Sequence, residues 1–220
     1  MIEIRHLFHR YIREYFALFD INLHIEKGEK VALVGSEDSG KTSLIRILSK
    51  LEKPSSGEIL IDGKNLTQID FKSDISVGYI PVYPIFFEKK TVYDNLEYIL
   101  KFRKTNKDKC EELICDALKD YDLEKYKDIQ VKKLSLYEKY KLSFARLALR
   151  KLDILLIDNI FDNFCELQED QKQDILNIII NLYKDKNLTM LSATSNIDLS
   201  HKFSDRQIFF KSGSIVEHLD

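Results

Sequence analysis

The segment Gly35-Ser36-Glu37-Asp38-Ser39-Gly40-Lys41-Thr42 fits the pattern G-x-x-x-x-G-K-[ST], and its setting narrows the fold more than any other stretch of the chain. Before it runs Val31-Ala32-Leu33-Val34, continuously apolar, as a strand covered on both faces reads. After it, Thr42 to Lys50 carries Leu44, Ile45, Ile47 and Leu48 at helical spacing. Strand, glycine loop and helix in that order build a phosphate cradle: inward backbone N–H groups, the positive end of the helix dipole, a point charge from Lys41 and a hydroxyl ligand for Mg²⁺ from Thr42. Gly35, Ser36, Asp38, Ser39, Gly40, Lys41, Thr42 and Ser43 are therefore the candidate nucleotide-binding residues. Glu37 and Asp38 put carboxylates on the same loop, which repel phosphate unless they face solvent. Asp is one of the few residues that tolerates left-handed backbone, so the loop's geometry survives the substitution.

A chain of 220 residues holds one substantial α/β domain, and we expect a single domain over 1–220 with one core and a helical lobe. A net charge of −2, with 32% charged residues, is neither the signature of a nucleic-acid-binding protein nor of a disordered acidic one, so no nucleic-acid partner is expected. Cys110, Cys115 and Cys165 are odd in number and lack C-x-x-C spacing, and read as reduced cytosolic thiols. No run reaches the roughly 18 apolar residues of a spanning helix, and the N-terminus lacks the pattern of a secretion signal; the expectation is a soluble protein able to dock at a membrane.

Ile2–Ile4 and Ala17–Ile25 alternate in the manner of strands in an antiparallel patch, and Lys27-Gly28 turns the chain. The cluster at 53–57, the run Glu58–Ile61 and the Asp62-Gly63 turn predict a small hairpin, and Ser76–Ile80 a strand that stops at Pro81. From about Thr91 to Tyr140 the pattern is helical and heavily charged. Leu142–Leu149 predicts a helix, Ile154–Ile157 a buried strand ending at Asp158, and Gln168–Tyr183 with Thr189–Ser192 a further helix and strand.

With the loop in place, the chain resembles the ATP-binding-cassette family along nearly its whole length. Ile2–Tyr11 looks like the family's first strand and aromatic loop, making Tyr11 the ring that stacks on adenine; the lesser alternative has Tyr15 or Phe16 as plain core aromatics. Ser56–Gly63 resembles the family's hairpin, Gly78-Tyr79-Ile80-Pro81 its approach to the glutamine loop, and Thr91–Leu96 the start of the helical lobe in importer-type cassettes. Ala145-Arg146 and Asp153–Asp158 resemble the end of the signature helix and the Walker B strand. Asp158 stands where ligands gather in an open parallel sheet, and the resemblance places it with Thr42 in the Mg²⁺ shell. The implied fold is an α/β P-loop NTPase with a mixed, largely parallel core sheet, an N-terminal antiparallel β patch and a helical lobe inserted at about 91–145. The implied cofactors are ATP and Mg²⁺. The implied partners are transmembrane transporter subunits and a second cassette, identical or different, at the inner face of the cell membrane, with the chain peripheral and cytoplasmic.

The departures from that pattern matter as much. Val82, with no donor or ligand atom, holds the glutamine position. Leu134-Ser135-Leu136-Tyr137-Glu138 replaces the signature Leu-Ser-Gly-Gly-Gln, so Leu136 and Tyr137 obstruct the approach that glycines allow to an opposing nucleotide. Asn159 holds the general-base position, and loss of a positioned base typically costs about 10²–10⁴-fold. Ser195, in Ala193-Thr194-Ser195-Asn196, matches the switch-histidine position, while His201 reads as part of a surface helix. Because both defects lie in one chain, even a fully equipped partner cassette leaves neither composite site complete. The expectation is an ATP-binding transporter subunit whose binding energy closes a dimer while hydrolysis is slow; the alternative is a pseudo-ATPase, a regulatory or structural module that holds nucleotide without turnover. Tyr83–Phe87, where the family docks its membrane partner, is either an exposed patch or buried against the lobe.

Overall fold

The computed structural model describes residues 2–12, 15–71, 74–102 and 106–218, and the side chains of residues 102, 107, 163 and 165 lie outside that description, and with them the reading of Cys165 as a reduced thiol. The chain separates into two compact units: Met1–Val82 with Leu152–Phe164 and Ile179–Asp220, and Tyr83–Lys151 with Cys165–Ile178.

The first unit is built on two sheets. Strands β1 (Ile2–Ile12) and β2 (Tyr15–Ile25) pair antiparallel, and β4 (Ser56–Ile61) and β5 (Lys64–Asn65) extend the sheet in the order β2-β1-β4-β5. Register places Ile2 opposite Ile25 and Ile61, and Ile4 opposite Leu23 and Ile59, so the alternating apolar side chains all enter the core; a one-residue slip would turn each of them to solvent. The second sheet has the order β10-β9-β3-β8-β7-β6, with β3 (Lys30–Val34), β6 (Val77–Ile80), β7 (Ile154–Ile157), β8 (Thr189–Thr194) and β9 (Arg206–Lys211) mutually parallel and β10 (Ser214–Val216) antiparallel to β9. Every residue of β3, β7 and β8 is buried, which explains the unbroken apolar runs Val31–Val34 and Ile154–Ile157, while β8 also buries Thr189, Ser192 and Thr194. Helix α1 (Lys41–Leu48) packs Leu44, Ile45, Ile47 and Leu48 into the same core; full burial of such a side chain is worth about 1.5–3 kcal/mol, which fixes where the helix begins and so where the loop before it lies.

The second unit holds α2 (Val92–Phe102), α3 (Lys107–Asp120) and α4 (Leu136–Ala148), whose core includes Val92, Leu96, Leu100, Ile114, Leu118 and Leu142. Helix α5 (Glu169–Tyr183) runs from this unit into the first, to which α6 (Ile197–Ser200) belongs.

The expected hairpin, buried strands and mixed sheet are present, with three differences. Residues 2–11 are not a strand followed by a loop: β1 runs unbroken to Ile12 and pairs Ile12 with Tyr15, so Tyr11 lies on a strand. Helix α4 starts at Leu136, not Leu142, because Ser135 and Glu138 form a reciprocal capping box that satisfies backbone donors at its first turn. Strands β9 and β10 have no counterpart in the sequence reading; their turn at Ser212-Gly213, with φ of 48° and 81°, was hidden behind a short alternation. His201 closes the short helix α6.

Candidate functional site

The C-terminal ends of β3, β8 and β7 lie side by side, and each delivers part of one site. After β3 the chain turns through the loop 35–40. Gly40 is left-handed, with φ 104°, and a Cβ there would meet the Ala17 carbonyl oxygen at 2.5 Å; a Cβ on Gly35 would meet the Phe210 carbonyl oxygen at 2.3 Å. Both glycines are therefore demanded by backbone that cannot move aside. Asp38 is also left-handed, with φ 59°, and both Glu37 and Asp38 are exposed, so neither carboxylate is held inside the cradle.

Lys41 is 2% exposed. Its Nζ donates to the carbonyl oxygens of Gly35 at 2.8 Å and Ser36 at 2.6 Å, and to Ser39 Oγ at 3.1 Å. The ammonium thus stands inside the loop, at the level of its amides. Burial pulls its pKa below the usual lysine range, opposed by the carboxylates of Asp162, Asp158, Glu37 and Asp38.

Thr42 Oγ1 donates to Asp158 Oδ1 at 2.7 Å, and Tyr79 OH donates to Asp158 Oδ2 at 3.3 Å. Asn159, left-handed at φ 47°, brings Nδ2 to 3.5 Å from Thr42 Oγ1, and its Oδ1 is a buried acceptor with no partner. Hydroxyl, carboxylate and orphaned amide oxygen form a hard-oxygen set, the chemistry that Mg²⁺ takes, and so the residues fit that ion. Burial raises the Asp158 carboxyl above the usual range, with Thr42, Arg46, Tyr79 and Lys41 drawing it back, and burial next to the Asp158 charge pushes Tyr79 up to about 12. An acid raised in this way lowers stability once pH exceeds its unfolded value, and the whole penalty is present above the folded one. Asp158→Asn is accordingly expected to raise the melting temperature in magnesium-free, nucleotide-free buffer. A lower melting temperature in calorimetry would contradict this account of the charge.

Tyr11 OH donates to Glu52 Oε2 at 2.7 Å and lies 3.1 Å from Ser43 Oγ, so the ring is tethered beside the first turn of α1 while remaining 54% exposed. Tyr11 and Tyr15 both border a cavity of about 420 Å³ whose floor is formed by Ser39, Gly40, Lys41 and Thr42. The sequence-based candidates thus converge, from Tyr11 at one end to Asp158 and Asn159 at the other. Ser195 differs in its company: its hydroxyl donates to Asp162 Oδ1 at 2.9 Å and its N–H to the same oxygen at 3.2 Å.

Sequence reasoning missed Tyr79, Gly213 and Asp162. Gly213 N–H donates to the Ser39 carbonyl at 3.0 Å and its own carbonyl accepts from Phe19 N–H at 2.8 Å, pinning the loop between β2 and the β9–β10 turn. Asp162 follows Asn159 in a 3₁₀ turn, its N–H bonded to the Asn159 carbonyl at 3.2 Å; an acid three residues beyond a motif carries no pattern of its own.

In the second unit, the segment in the signature position begins α4 with Ser135 as its cap, Glu138 Oε2 accepting from Ser135 N at 2.7 Å. Tyr137 OH donates to Asp174 Oδ2 at 2.5 Å, and its ring lies 5.2 Å from the Lys141 ammonium, itself paired with Asp122 at 3.1 Å and Asp174 at 3.6 Å. Tyr137 is therefore anchored at its hydroxyl and packed on its face. Tyr83, Ile85 and Phe87 are 59%, 69% and 52% exposed, which makes 83–87 an exposed patch; Phe86 alone of its aromatics packs onto the helical core.

A family model described as ABC transporter matches residues 18–162. The methionine import ATP-binding protein MetN 2 of Bacillus cereus is 29% identical over 205 residues, covering 91% of this chain and 60% of that protein. The MetN protein of Helicobacter pylori is 27% identical over 221 residues, covering 99% and 67%. The chain spans about 60% of the length of the first of these relatives. Among solved structures, a dimeric ATP-binding cassette bound to ADP and Pi superposes with TM-score 0.85 at 23% identity, covering 99% of this chain and 97% of that one, and cbiO1 of Clostridium perfringens, part of an ABC transporter complex, superposes with 0.80 at 25%, covering 98% and 86%. The fold is that of a P-loop ATP-binding cassette. No helix among the described residues is long and apolar enough to cross a membrane.

Proposed function

The chain belongs to the ABC transporter family, and from that premise we propose that it is the ATP-binding subunit of an importer, binding Mg-ATP to close a cassette dimer while hydrolysing it slowly. The observation that carries the reading is the Lys41 ammonium held among the loop carbonyls next to the Thr42–Asp158 pair. On this reading Gly35, Ser36, Asp38, Ser39, Gly40 and Ser43 line the phosphates and Tyr11, its hydroxyl tethered, stacks on adenine. Thr42 and Asp158 would hold Mg²⁺, which when bound neutralises phosphate charge. Chain 1–220 acts as one ATP-binding domain whose helical lobe, about 91–145, reaches the transmembrane subunits through the exposed patch at 83–87, on the cytoplasmic face of the membrane. The methionine-importing relatives support the direction of transport. No nucleic acid takes part.

Slow turnover rests on Asn159 at the base position and on Tyr137, whose locked ring replaces a glycine. That same ring favours a second reading, a pseudo-ATPase in which nucleotide only steadies an assembly. A titration separates these outcomes. Mg-ATP at 100 times its Kd is expected to stabilise the fold by about 2.7 kcal/mol, while phosphate release stays far below that of ordinary cassettes. Absence of any thermal shift overturns both readings, and rapid phosphate release overturns the pseudo-ATPase reading together with the slow-turnover part of the first.

A further inference from the structure

His9, on β1, is buried, and neither its Nδ1 nor its Nε2 has a hydrogen-bond partner among the described residues. Buried polar groups in native folds are almost always paired, so an orphaned imidazole calls for a reason. Its Nε2 lies 3.4 Å from Glu52 Oε2, too long for a good hydrogen bond. That same oxygen accepts from Tyr11 OH at 2.7 Å, while Glu52 Oε1 accepts from Arg46 NH1 at 3.2 Å. Glu52 is also fixed by its backbone, whose N–H donates to the Arg46 carbonyl at 3.3 Å. The rings of His9 and Tyr11 meet edge to face, with centroids 4.8 Å apart at 83°. Tyr11 and Arg46 line the cavity at the phosphate loop; His9 and Glu52 reach it only through Tyr11. The titratable and charged groups brought against His9 are thus Tyr11 from β1 itself, and Glu52, with Arg46 behind it, from α1 and the turn after it. Strand β2 sets Leu18 opposite His9, the connection into β4 brings Ser55 to the Phe8 carbonyl, and the Arg10 guanidinium lies over the Phe16 ring at 4.3 Å.

We propose that Glu52 and His9 are positioning residues for the base of the nucleotide: Glu52 holds the Tyr11 hydroxyl, and His9, on gaining a proton from solvent, draws Glu52 Oε2 away from it. The proposal rests on the reading of Tyr11 as the ring that stacks on adenine. An imidazolium donates from both nitrogens and carries charge, and Nε2 has only Oε2 to turn to, because Arg46 holds Oε1. A charge-assisted bond is the stronger competitor for that oxygen. The Tyr11 hydroxyl then keeps Ser43 Oγ, at 3.1 Å, as its one remaining partner. Burial raises the Tyr11 phenol above its usual range, Ser43 opposing this and Glu52 adding to it, so the hydroxyl stays a donor throughout. A half-exposed ring tied at one point is less ordered for stacking than one tied at two. ATP affinity therefore falls as histidine gains charge, between about pH 8 and pH 5, while the grip on the phosphates is untouched by this route.

Calorimetry on the full chain, with Mg-ATP and with magnesium and inorganic triphosphate, which has no base, tests the pair. Between about pH 8 and pH 5.5 the unaltered chain is expected to lose ATP affinity relative to His9→Phe at the same pH by about threefold or more, since phenylalanine keeps an aromatic edge but takes no proton. The ratio cancels protonation of the phosphates themselves. At about pH 8, Glu52→Ala should weaken ATP by about threefold or more and triphosphate little. Tyr11→Phe should do the same, and the two together no more than either alone, because each removes the same bond. Glu52→Gln, which keeps an acceptor oxygen without the charge, should restore most of the affinity and abolish the pH dependence. Should Glu52→Ala not fold, Glu52→Gln, Tyr11→Phe and the pH profile decide. Identical pH profiles for the unaltered chain and His9→Phe, or losses in Glu52→Ala and Tyr11→Phe that simply add, would overturn the positioning pair. Tyr11→Ala weakening ATP and triphosphate alike would instead overturn the base reading, and an unaltered chain that binds no Mg-ATP the site itself; the pair falls with either.

Discussion

Lys41→Ala is expected to weaken Mg-ATP binding by about 30-fold to several thousand-fold. Truncating one member of a buried, hydrogen-bonded charge pair costs about 2–5 kcal/mol, and about 1.4 kcal/mol is a factor of ten in affinity. The estimate applies here because the ammonium is 2% exposed and fixed by acceptors of the loop itself, at 2.6 to 3.1 Å. A side chain held in that position needs little reorganisation to meet a triphosphate. The nucleotide-free fold should respond much less. Burial already disfavours the charged lysine, so alanine removes a desolvation penalty together with the hydrogen bonds. Calorimetric binding curves beside urea midpoints for the two proteins separate these effects. Affinity within threefold of the unaltered chain would show that Lys41 does not contact phosphate.

The second large effect needs several substitutions at once. Asn159→Glu alone is expected to leave phosphate release low, while Asn159→Glu combined with Leu136→Gly and Tyr137→Gly should raise it by about 10²–10⁴-fold, the contribution of a positioned base once its partner surface is open. The reason is geometric. Asn159 belongs to the site that contains Lys41, whereas Leu136 and Tyr137 open α4 in the second unit, in the segment that faces the opposing nucleotide in cassette dimers. Correcting one leaves the other closed. The glycines carry a cost: Tyr137 loses a 2.5 Å bond to Asp174 and its packing on Lys141, and each glycine in a helix costs about 1 kcal/mol. Lys141 keeps Asp122 and Asp174 as counter-charges, so the unit should fold. Equal turnover in single and triple variants would remove the signature segment from the account of slow hydrolysis.

What the sequence made legible follows from burial. Strands β3 and β7 are covered on both faces, and residues 35–42 are confined by glycines that admit no substitute, so these parts were readable as motif and apolar run. The pairing of Thr42 with Asp158 followed from the same elements, 116 residues apart along the chain. Other features depend on contacts that leave no local pattern. Strand β9 alternates over only a few residues, too short a pattern to mark a strand. Asp162 gains its position from a 3₁₀ turn and from Ser195, 33 residues away just past β8. Ser135 and Glu138 did carry a helix-start signal, S-x-x-E, but a residual signature reading masked it; the helix consequently begins six residues before the apolar stripe suggested.

The Gly213 turn has a mechanical meaning. Gly213 donates its N–H to the phosphate loop and accepts at its carbonyl from β2, so the hairpin β9–β10, the antiparallel sheet and the cradle meet at one residue without a side chain, beside the direct pairing of β9 with β3. Movement of the hairpin would reach Ser39 through backbone hydrogen bonds alone, and tightening of the loop around a triphosphate would pull on the hairpin in return.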